Sequence, residues 1–278
     1  MVTFNEGQPF VSIPGGKEFL SDPVTYDVVA GEKIAVSIFL EDFTEVKTMG
    51  LSGGDTYLAL GGDYTTNEKM NIGTMFDSEE LMKYLKMITG SELNIELAFS
   101  MVKVVPCLAS MDVLADESAY SVVVVGDSTV ANEFPQYLAQ AIHEKNITNV
   151  GIVGKGIMGN RLLGEGLGYG SLIFGESLID RFRRDVLSQT GVKYVVIKIG
   201  ANDIIHPVCN DIVEKYPDIQ QPTWQQICLG YRQLFNLCHD AGIKVVVASI
   251  TPWKGATRDY LGTGPKYVRT DEEFRADW

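Results

Sequence analysis

No stretch of this chain approaches the roughly 18–20 consecutive apolar residues of a membrane-spanning helix, so no membrane span is expected. Cations are in short supply: 23 Lys and Arg stand against 36 Asp and Glu, a net charge of −13. Nucleic acid and anionic lipid both demand clustered Lys and Arg, and this balance argues against either as a partner. Cysteine is sparse too. Cys107, Cys209, Cys228 and Cys238 form no C-x-x-C pair and no metal-like spacing with the histidines, so no metal is expected. Cys228 and Cys238 fall on an apolar helical stripe and read as small core residues. The opening "MVTFNEGQPF" has neither the basic nor the apolar stretch of a secretory signal. The compartment is left open, with secretion compatible with a longer natural chain. Histidine is the last shortage: only His143, His206 and His239 occur.

What the chain does have is apolar bulk. Hydrophobic residues are 45% of 278, enough for one large domain or two modest ones. Two rhythms divide it. Residues 1–116 read as a β-rich, sandwich-like N-terminal region, expected to be incomplete. Within it "SDPVTYDVVAGEKIAVSIFLED" alternates, with Ile34, Val36, Ile38 and Leu40 on one face. "GDTYLALGGDYT" and "NIELAFSMVKVV" add strand-like runs, and "DSEELMKYLKMI" a helical one. Packing is the plain role of this half; a sugar-binding face is the alternative.

Residues 117–278 switch to strand, helix, strand, helix. Apolar runs at 121–126, 149–154, 193–199 and 243–249 have the composition of parallel strands covered on both faces. Between them "FPQYLAQAIHEK" sets Phe134, Tyr137, Leu138 and Ile142 on one helical side, and "ESLIDRFRRDVLS" sets Leu178, Phe182 and Val186 on another. In "TWQQICLGYRQLFNLCHDAG", Thr223 caps with Gln226 three residues on, and Gly242 stops the helix. Its stripe is Trp224, Ile227, Cys228, Tyr231, Leu234, Phe235 and Cys238. This alternation predicts an α/β fold with a doubly wound parallel sheet, whose ligands sit at the carboxyl ends of the strands.

Those ends carry chemistry. The first strand runs into Gly126-Asp127-Ser128, the second into "GKGIMGNR" (154–161), the third into "GANDI" (200–204), the fourth into "ITPW" (250–253). Ser128 supplies a hydroxyl, Gly159 a backbone N–H at close range, and Asn202 an amide donor. Acyl transfer needs such a set, a nucleophile plus donors aimed at a developing oxyanion. Alone, Gly-Asp-Ser is an ordinary turn in which Asp127 bonds its own backbone. Three such segments in order, each directly after a strand, are far more specific.

"VVVVGDS", "GIMGNRLL" and "IGAND" resemble the first three blocks of the SGNH, or GDSL-type, serine hydrolases, over roughly residues 118–278. The resemblance implies a flavodoxin-like three-layer α/β/α fold and hydrolysis of lipid, sugar or small acyl esters. It implies Ser128 as nucleophile, with its own N–H, Gly159 and Asn202 forming the oxyanion hole, and no cofactor. "SDPV…VSIFL" and "MDVLAD" also resemble a β-rich region preceding the catalytic domain in one branch of the superfamily. O-acyl, chiefly acetyl, esters of carbohydrates are therefore the expected substrate, with lipid esters as the alternative. Asp127 and Asp203 are expected to shape turns. Arg161 either lines the pocket or forms a structural ion pair. Trp253 either stacks on substrate or packs.

One element of that family is missing. Its general base is the His of a D-x-x-H pair, and no such pair follows Asn202. His143 and His239 sit in helical patterns and read as surface or helix-end residues. His206, four positions after Asn202, is the one candidate substitute. "TDEEFRADW" opens a helix, with Thr270 and Glu273 as a capping box and Phe274 and Trp278 on one face. The expectation is that Met1 and Trp278 are not natural termini, and that the fifth strand and Asp-His segment lie beyond. Serine is a weak nucleophile without a base, and losing the base costs on the order of 10⁶ in turnover in a serine protease. This stretch alone is thus expected to be nearly inert.

Two rival readings exist. "GKGIMG" satisfies G-x-G-x-x-G, the fingerprint of an NAD-binding Rossmann unit. It follows the second strand rather than the first, the glycine-rich "NRLLGEGLGYGSL" is a poor helix, and Asp180 falls inside a helix instead of ending a strand. The other rival is a glycan-binding scaffold that has lost its base.

Overall fold

The computed structural model describes residues 1–14, 17–29, 31–39, 63–67, 108–165, 174–208 and 210–250. Its centre is a four-stranded, wholly parallel sheet. The strands are β1 (Tyr120–Gly126), β2 (Val150–Gly156), β3 (Val192–Lys198) and β4 (Lys244–Val247), in the order β2-β1-β3-β4. The four sequence-predicted strands are all present. The chain steps from β1 to one side and then returns to its other side, so the winding reverses between β1 and β3. That reversal opens the crevice in which α/β proteins bind ligands.

β-branched side chains explain the two central strands: Val123, Val124, Val125, Val195 and Ile197 are all fully buried. The outer strands are less covered than predicted. Val246 and Val247 of β4 are 52% and 44% exposed. Among the described residues β2 and β4 are the sheet's edges, and each has only one pairing neighbour.

Helices lie on both faces. On one, Val123, Val125, Val195 and Ile197 pack with Leu178 and Phe182 of α3 (Leu178–Phe182) and with Val186 in the π-helical turn Arg183–Leu187. Ile227, Leu234 and Cys238 of α6 (Trp224–Asp240) complete that core. Burying each leucine or phenylalanine there contributes about 1.5–3 kcal/mol. On the other face, Gly154 and Gly156 of β2 leave room for α2 (Phe134–Glu144) and for α1 (Ser128–Ala131). A Cβ on Gly156 would sit 2.2 Å from the Ala131 nitrogen. Two short helices, α4 (Ala201–Ile205) and α5 (Asn210–Lys215), follow β3, separated by the 3-10 turn His206–Val208.

α6 begins with the predicted capping box: Thr223 N donates to Gln226 Oε1 at 2.8 Å, and Gln226 N donates to Thr223 Oγ1 at 3.3 Å. It ends at Gly242, whose φ of +70° suits glycine, while Ile243 N donates to Cys238 O at 2.8 Å. Its stripe is narrower than predicted. Trp224, Gln225 and Gln226 are all exposed, so the helix meets the sheet only from Ile227 onward. Cys228, one position round from Ile227, faces solvent and is not a core residue; Cys238 is. α2 differs similarly. Phe134 and Tyr137 are 38% and 63% exposed, because α2 rests on an edge strand and touches it mainly through buried Pro135.

The described N-terminal residues hold one isolated antiparallel bridge, Phe4 to Gln8. Asp22 braces it, accepting from Thr3 Oγ1 at 2.8 Å and from Gly7 N at 2.8 Å. The strand predicted through Ile34, Val36 and Ile38 is not formed over residues 31–39, where all three side chains are exposed. Alternation alone does not make a strand; a ladder partner must satisfy the backbone. Leu40, residues 54–62 of the strand-like run 54–65, the run 94–105 and the helical run 77–88 lie outside the described residues. The segment before β1 is tied to the sheet: Lys155 Nζ donates to Ala109 O at 2.7 Å, and Thr190 Oγ1 donates to Asp112 Oδ2 at 2.9 Å.

Candidate active site

β1 delivers its corner at the level where its neighbours end, for Gly126 is in register with Gly156 of β2 and Lys198 of β3. A Cβ on Gly126 would lie 1.9 Å from the Lys198 carbonyl oxygen, so the turn there needs glycine. Asp127, 2% exposed, caps α1 by accepting from Thr129 N at 2.9 Å and Thr129 Oγ1 at 2.8 Å. Asp127 thus shapes the turn, as expected. Ser128 opens α1, half-buried at the carboxyl edge of the sheet.

The loop after β2 returns to the same place. Ile157 N donates to Gly126 O at 3.1 Å, and Asn160 N closes a turn on Ile157 O at 3.2 Å. Gly159 inside that turn has φ +66°, and a Cβ on it would meet the Phe174 ring at 2.4 Å. Both facts require glycine. Asn160 is fully buried. Its Nδ2 donates to Phe174 O and Glu176 O, each at 2.7 Å, and its Oδ1 accepts from Arg181 Nε at 3.1 Å and Arg181 Nη2 at 2.9 Å.

The loop after β3 turns at Gly200, φ +102°, where Tyr231 Oη donates to Ile199 O at 2.7 Å. Burial pushes the Tyr231 hydroxyl up to about 12, and the charge of Asp203 adds to this. Asn202, 4% exposed, donates from Nδ2 to the Asn160 carbonyl at 2.9 Å. Asp203 accepts from Leu162 N at 2.7 Å and Leu163 N at 2.9 Å. Burial raises its pKa above the usual carboxylate range, and those two N–H bonds only partly offset it. The Asn-Asp pair after β3 therefore grips the Asn160–Leu163 backbone at three points.

Three predicted residues thus stand just past the carboxyl ends of β1, β2 and β3, Ser128 and Asn202 in the first turns of short helices and Gly159 in a turn, and hydrogen bonds join the three segments. Arg161 is half-buried, and its Nη2 donates to Glu165 O. Burial lowers its pKa and the charge of Asp203 opposes the shift. His206 is 1% exposed, with its ring 5.6 Å from that of Phe174. Burial, with Arg161 adding to it, pushes His206 down to about 4. A base that weak, sealed from solvent, is poorly suited to take a proton near neutrality. His143 and His239 end their helices, exposed, as expected. Trp253 lies outside the described residues. Gly154 and Gly156 of the dinucleotide-like motif lie within β2 and serve helix packing, rather than forming a turn after the strand.

Sequence reasoning missed Asn160, Phe174 and above all Arg181. Arg181 is 1% exposed and pairs with Asp185 at 2.8 Å. Burial pushes Asp185 up, but Arg181 and Arg184 outweigh it and hold the carboxyl below its ordinary value. A signal was present. Arg181 and Asp185 fall at i+3 and i+7 from Leu178, on the same helical face as Phe182 and Val186. An Arg-Asp pair at i, i+4 inside an apolar stripe marks a buried ion pair.

A wholly parallel sheet with helices on both faces, whose strand ends bear a capped Gly-Asp-Ser corner, a left-handed glycine and a buried Asn-Asp pair, defines a doubly wound α/β protein. The sequence model of the family described as GDSL-like Lipase/Acylhydrolase matches residues 122–271, more than half of the chain, and the chain belongs to that family. Its fold is the three-layer α/β/α type. No curated protein matches the chain. Several solved chains match, among them a crystal structure at 14% identity over 49% of this chain and 67% of its own, with a TM-score of 0.32. Among the described residues no helix is long and apolar enough to cross a membrane.

Proposed function

We propose that this protein hydrolyses carboxylic esters through Ser128. The Ser128 oxygen attacks the ester carbonyl carbon, and the carbonyl electron pair moves onto oxygen. The N–H groups of Ser128 and Gly159 and the Asn202 side-chain amide hold that oxyanion. Collapse expels the alcohol with a proton and leaves an acyl-Ser128 ester. Water adds to the acyl carbon by the same route, giving the acid and free Ser128. The observation that carries this reading is the 2.9 Å bond from Asn202 Nδ2 to the Asn160 carbonyl. It ties the third loop to the residue next to Gly159. An amide nitrogen has two hydrogens, so a second remains to donate to an oxyanion. One such donor is worth about 2.7–4 kcal/mol of transition-state stabilisation.

This reading requires a base to accept the Ser128 proton, and His206, buried and weakly basic, is poorly suited to that role. The substrate class is O-acyl esters of carbohydrates, supported by the resemblance of the residues before the sheet to glycan-directed members. The test uses the natural gene product. A fluorophosphonate probe should modify Ser128, located by peptide mass spectrometry, and the protein should deacetylate acetylated oligosaccharides faster than it cleaves long-chain p-nitrophenyl esters. Ser128→Ala should lose both labelling and turnover. Turnover that survives Ser128→Ala overturns the reading. An unlabelled, inactive wild type indicates a binding scaffold instead.

A further inference from the structure

We propose that Arg181 is the positioning residue of this site: it holds the loops carrying Ser128, Gly159 and Asn202 in mutual register without touching substrate. The proposal rests on the ester-hydrolase reading for its catalytic consequence, though not for its geometry. Arg181 is buried to 1% exposure and uses every nitrogen of its guanidinium. Nη2 donates to the Gly126 carbonyl at 3.0 Å, the last residue of β1 and two before Ser128. Nη1 donates to the Lys155 carbonyl at 3.0 Å, near the end of β2. Nε and Nη2 both donate to Asn160 Oδ1, at 3.1 and 2.9 Å. Nη1 also donates to Asp185 Oδ2 at 2.8 Å. Asn160 passes the constraint on. Its carbonyl receives Asn202 Nδ2, and its own Nδ2 fixes Phe174 O, whose ring covers Gly159.

Packing does not explain this residue. Leu178, Phe182 and Val186 around it are fully buried, and a leucine would fill that face without the desolvation of a charge. A leucine could not clamp two strand-end carbonyls and a carboxamide. Nor could a lysine, whose point charge lacks the planar fork of five donors. The ion is itself stabilised: Asp185 pairs with it, and Arg184 bonds Asp185 at 2.9 Å and Glu176 at 2.6 Å.

The test compares Arg181→Lys, Asn160→Ser, the double variant and Ser128→Ala in the natural full-length protein. Steady-state kinetics with p-nitrophenyl acetate give one readout. NMR resonances of the Gly159 backbone amide and the Asn202 side-chain amide give another that needs no turnover. Each single variant should lower kcat by about 10²-fold with KM changed less than about threefold, as when one oxyanion donor is misplaced. The double variant should be no worse than the poorer single by more than about threefold, because the two residues act as one unit. Both amide resonances should move in each single variant while those of Val195 in β3 stay in place. Wild-type kcat in Arg181→Lys, losses that multiply in the double variant, or unmoved Gly159 and Asn202 resonances would each overturn the proposal. If Arg181→Lys does not fold, Asn160→Ser keeps the Arg181–Asp185 pair and decides alone by the same criteria. Turnover persisting in Ser128→Ala sinks the hydrolase reading instead, and the resonances still judge Arg181.

Discussion

Gly159 shows how one residue can be constrained from two directions. Its backbone has φ +66°, and a side chain would enter the Phe174 ring, 2.4 Å from the Cβ position. Gly159→Ala is expected to destabilise the protein by about 1–3 kcal/mol, through backbone strain and the clash together. Adding Phe174→Ala should relieve the clash and leave the backbone strain. Denaturant midpoints of the two variants measure the split, and equal stability of Gly159→Ala and wild type would refute it. Asp203 is the second such residue. Its carboxylate receives two backbone N–H groups, at 2.7 and 2.9 Å, from Leu162 and Leu163. An asparagine side chain has one carbonyl oxygen, so Asp203→Asn leaves a buried N–H without an acceptor. The expected loss is about 1–3 kcal/mol, seen as a lower midpoint at unchanged slope.

At the scale of elements, α6 is legible because its start, stripe and stop are local signals. Thr223→Ala should remove about 1 kcal/mol by breaking the capping box. The melting temperature should fall by a few degrees and ester turnover should not change. A melt identical to wild type would mean that the exposed first turn adds nothing to stability. The strands were equally legible, since runs such as Val122–Val125 have few other homes than a buried sheet. The strand-end positions of Ser128, Gly159 and Asn202 followed from them. The same local reasoning gives alternation at residues 31–39, where no strand is formed and no ladder partner is found among the described residues. It failed at Phe134, Tyr137 and Trp224, which lie on correctly read helices but over an edge strand or a free first turn. How far a stripe is covered depends on what the sheet places beneath it, and a single helix's sequence does not contain that. The spacing to Asp185 marks Arg181 as a buried ion, but its role as a clamp lay beyond reach for a related reason. Its partners Gly126, Lys155 and Asn160 are 55, 26 and 21 residues away along the chain. Only the closed sheet makes them neighbours.

For the whole molecule, the buried ionisable groups set how stability responds to acid. His206 has an ordinary value near 6.5 and is pushed down to about 4 by burial, with Arg161 nearby adding to the shift. Between those two values the unfolded chain binds a proton that the folded chain refuses. Stability attributable to this group is therefore intact above pH 6.5 and falls as the pH drops toward 4. The loss is roughly 3 kcal/mol at most. Asp185, held below the ordinary carboxylate value, works in the same direction at lower pH. Asp203 is raised, so the folded chain retains its proton more readily and gains relative stability on acidification near its own pKa. Its window opens at the ordinary carboxylate value and extends upward from there, so it opposes the His206 loss wherever the two overlap. Between about pH 7.5 and about pH 4.5 wild type should lose more melting temperature than His206→Gln, which has no charge to exclude and carries the same Asp203 contribution. Equal losses in wild type and His206→Gln would show that His206 takes up its proton in the folded state. It would then regain standing as the missing base beside Asn202.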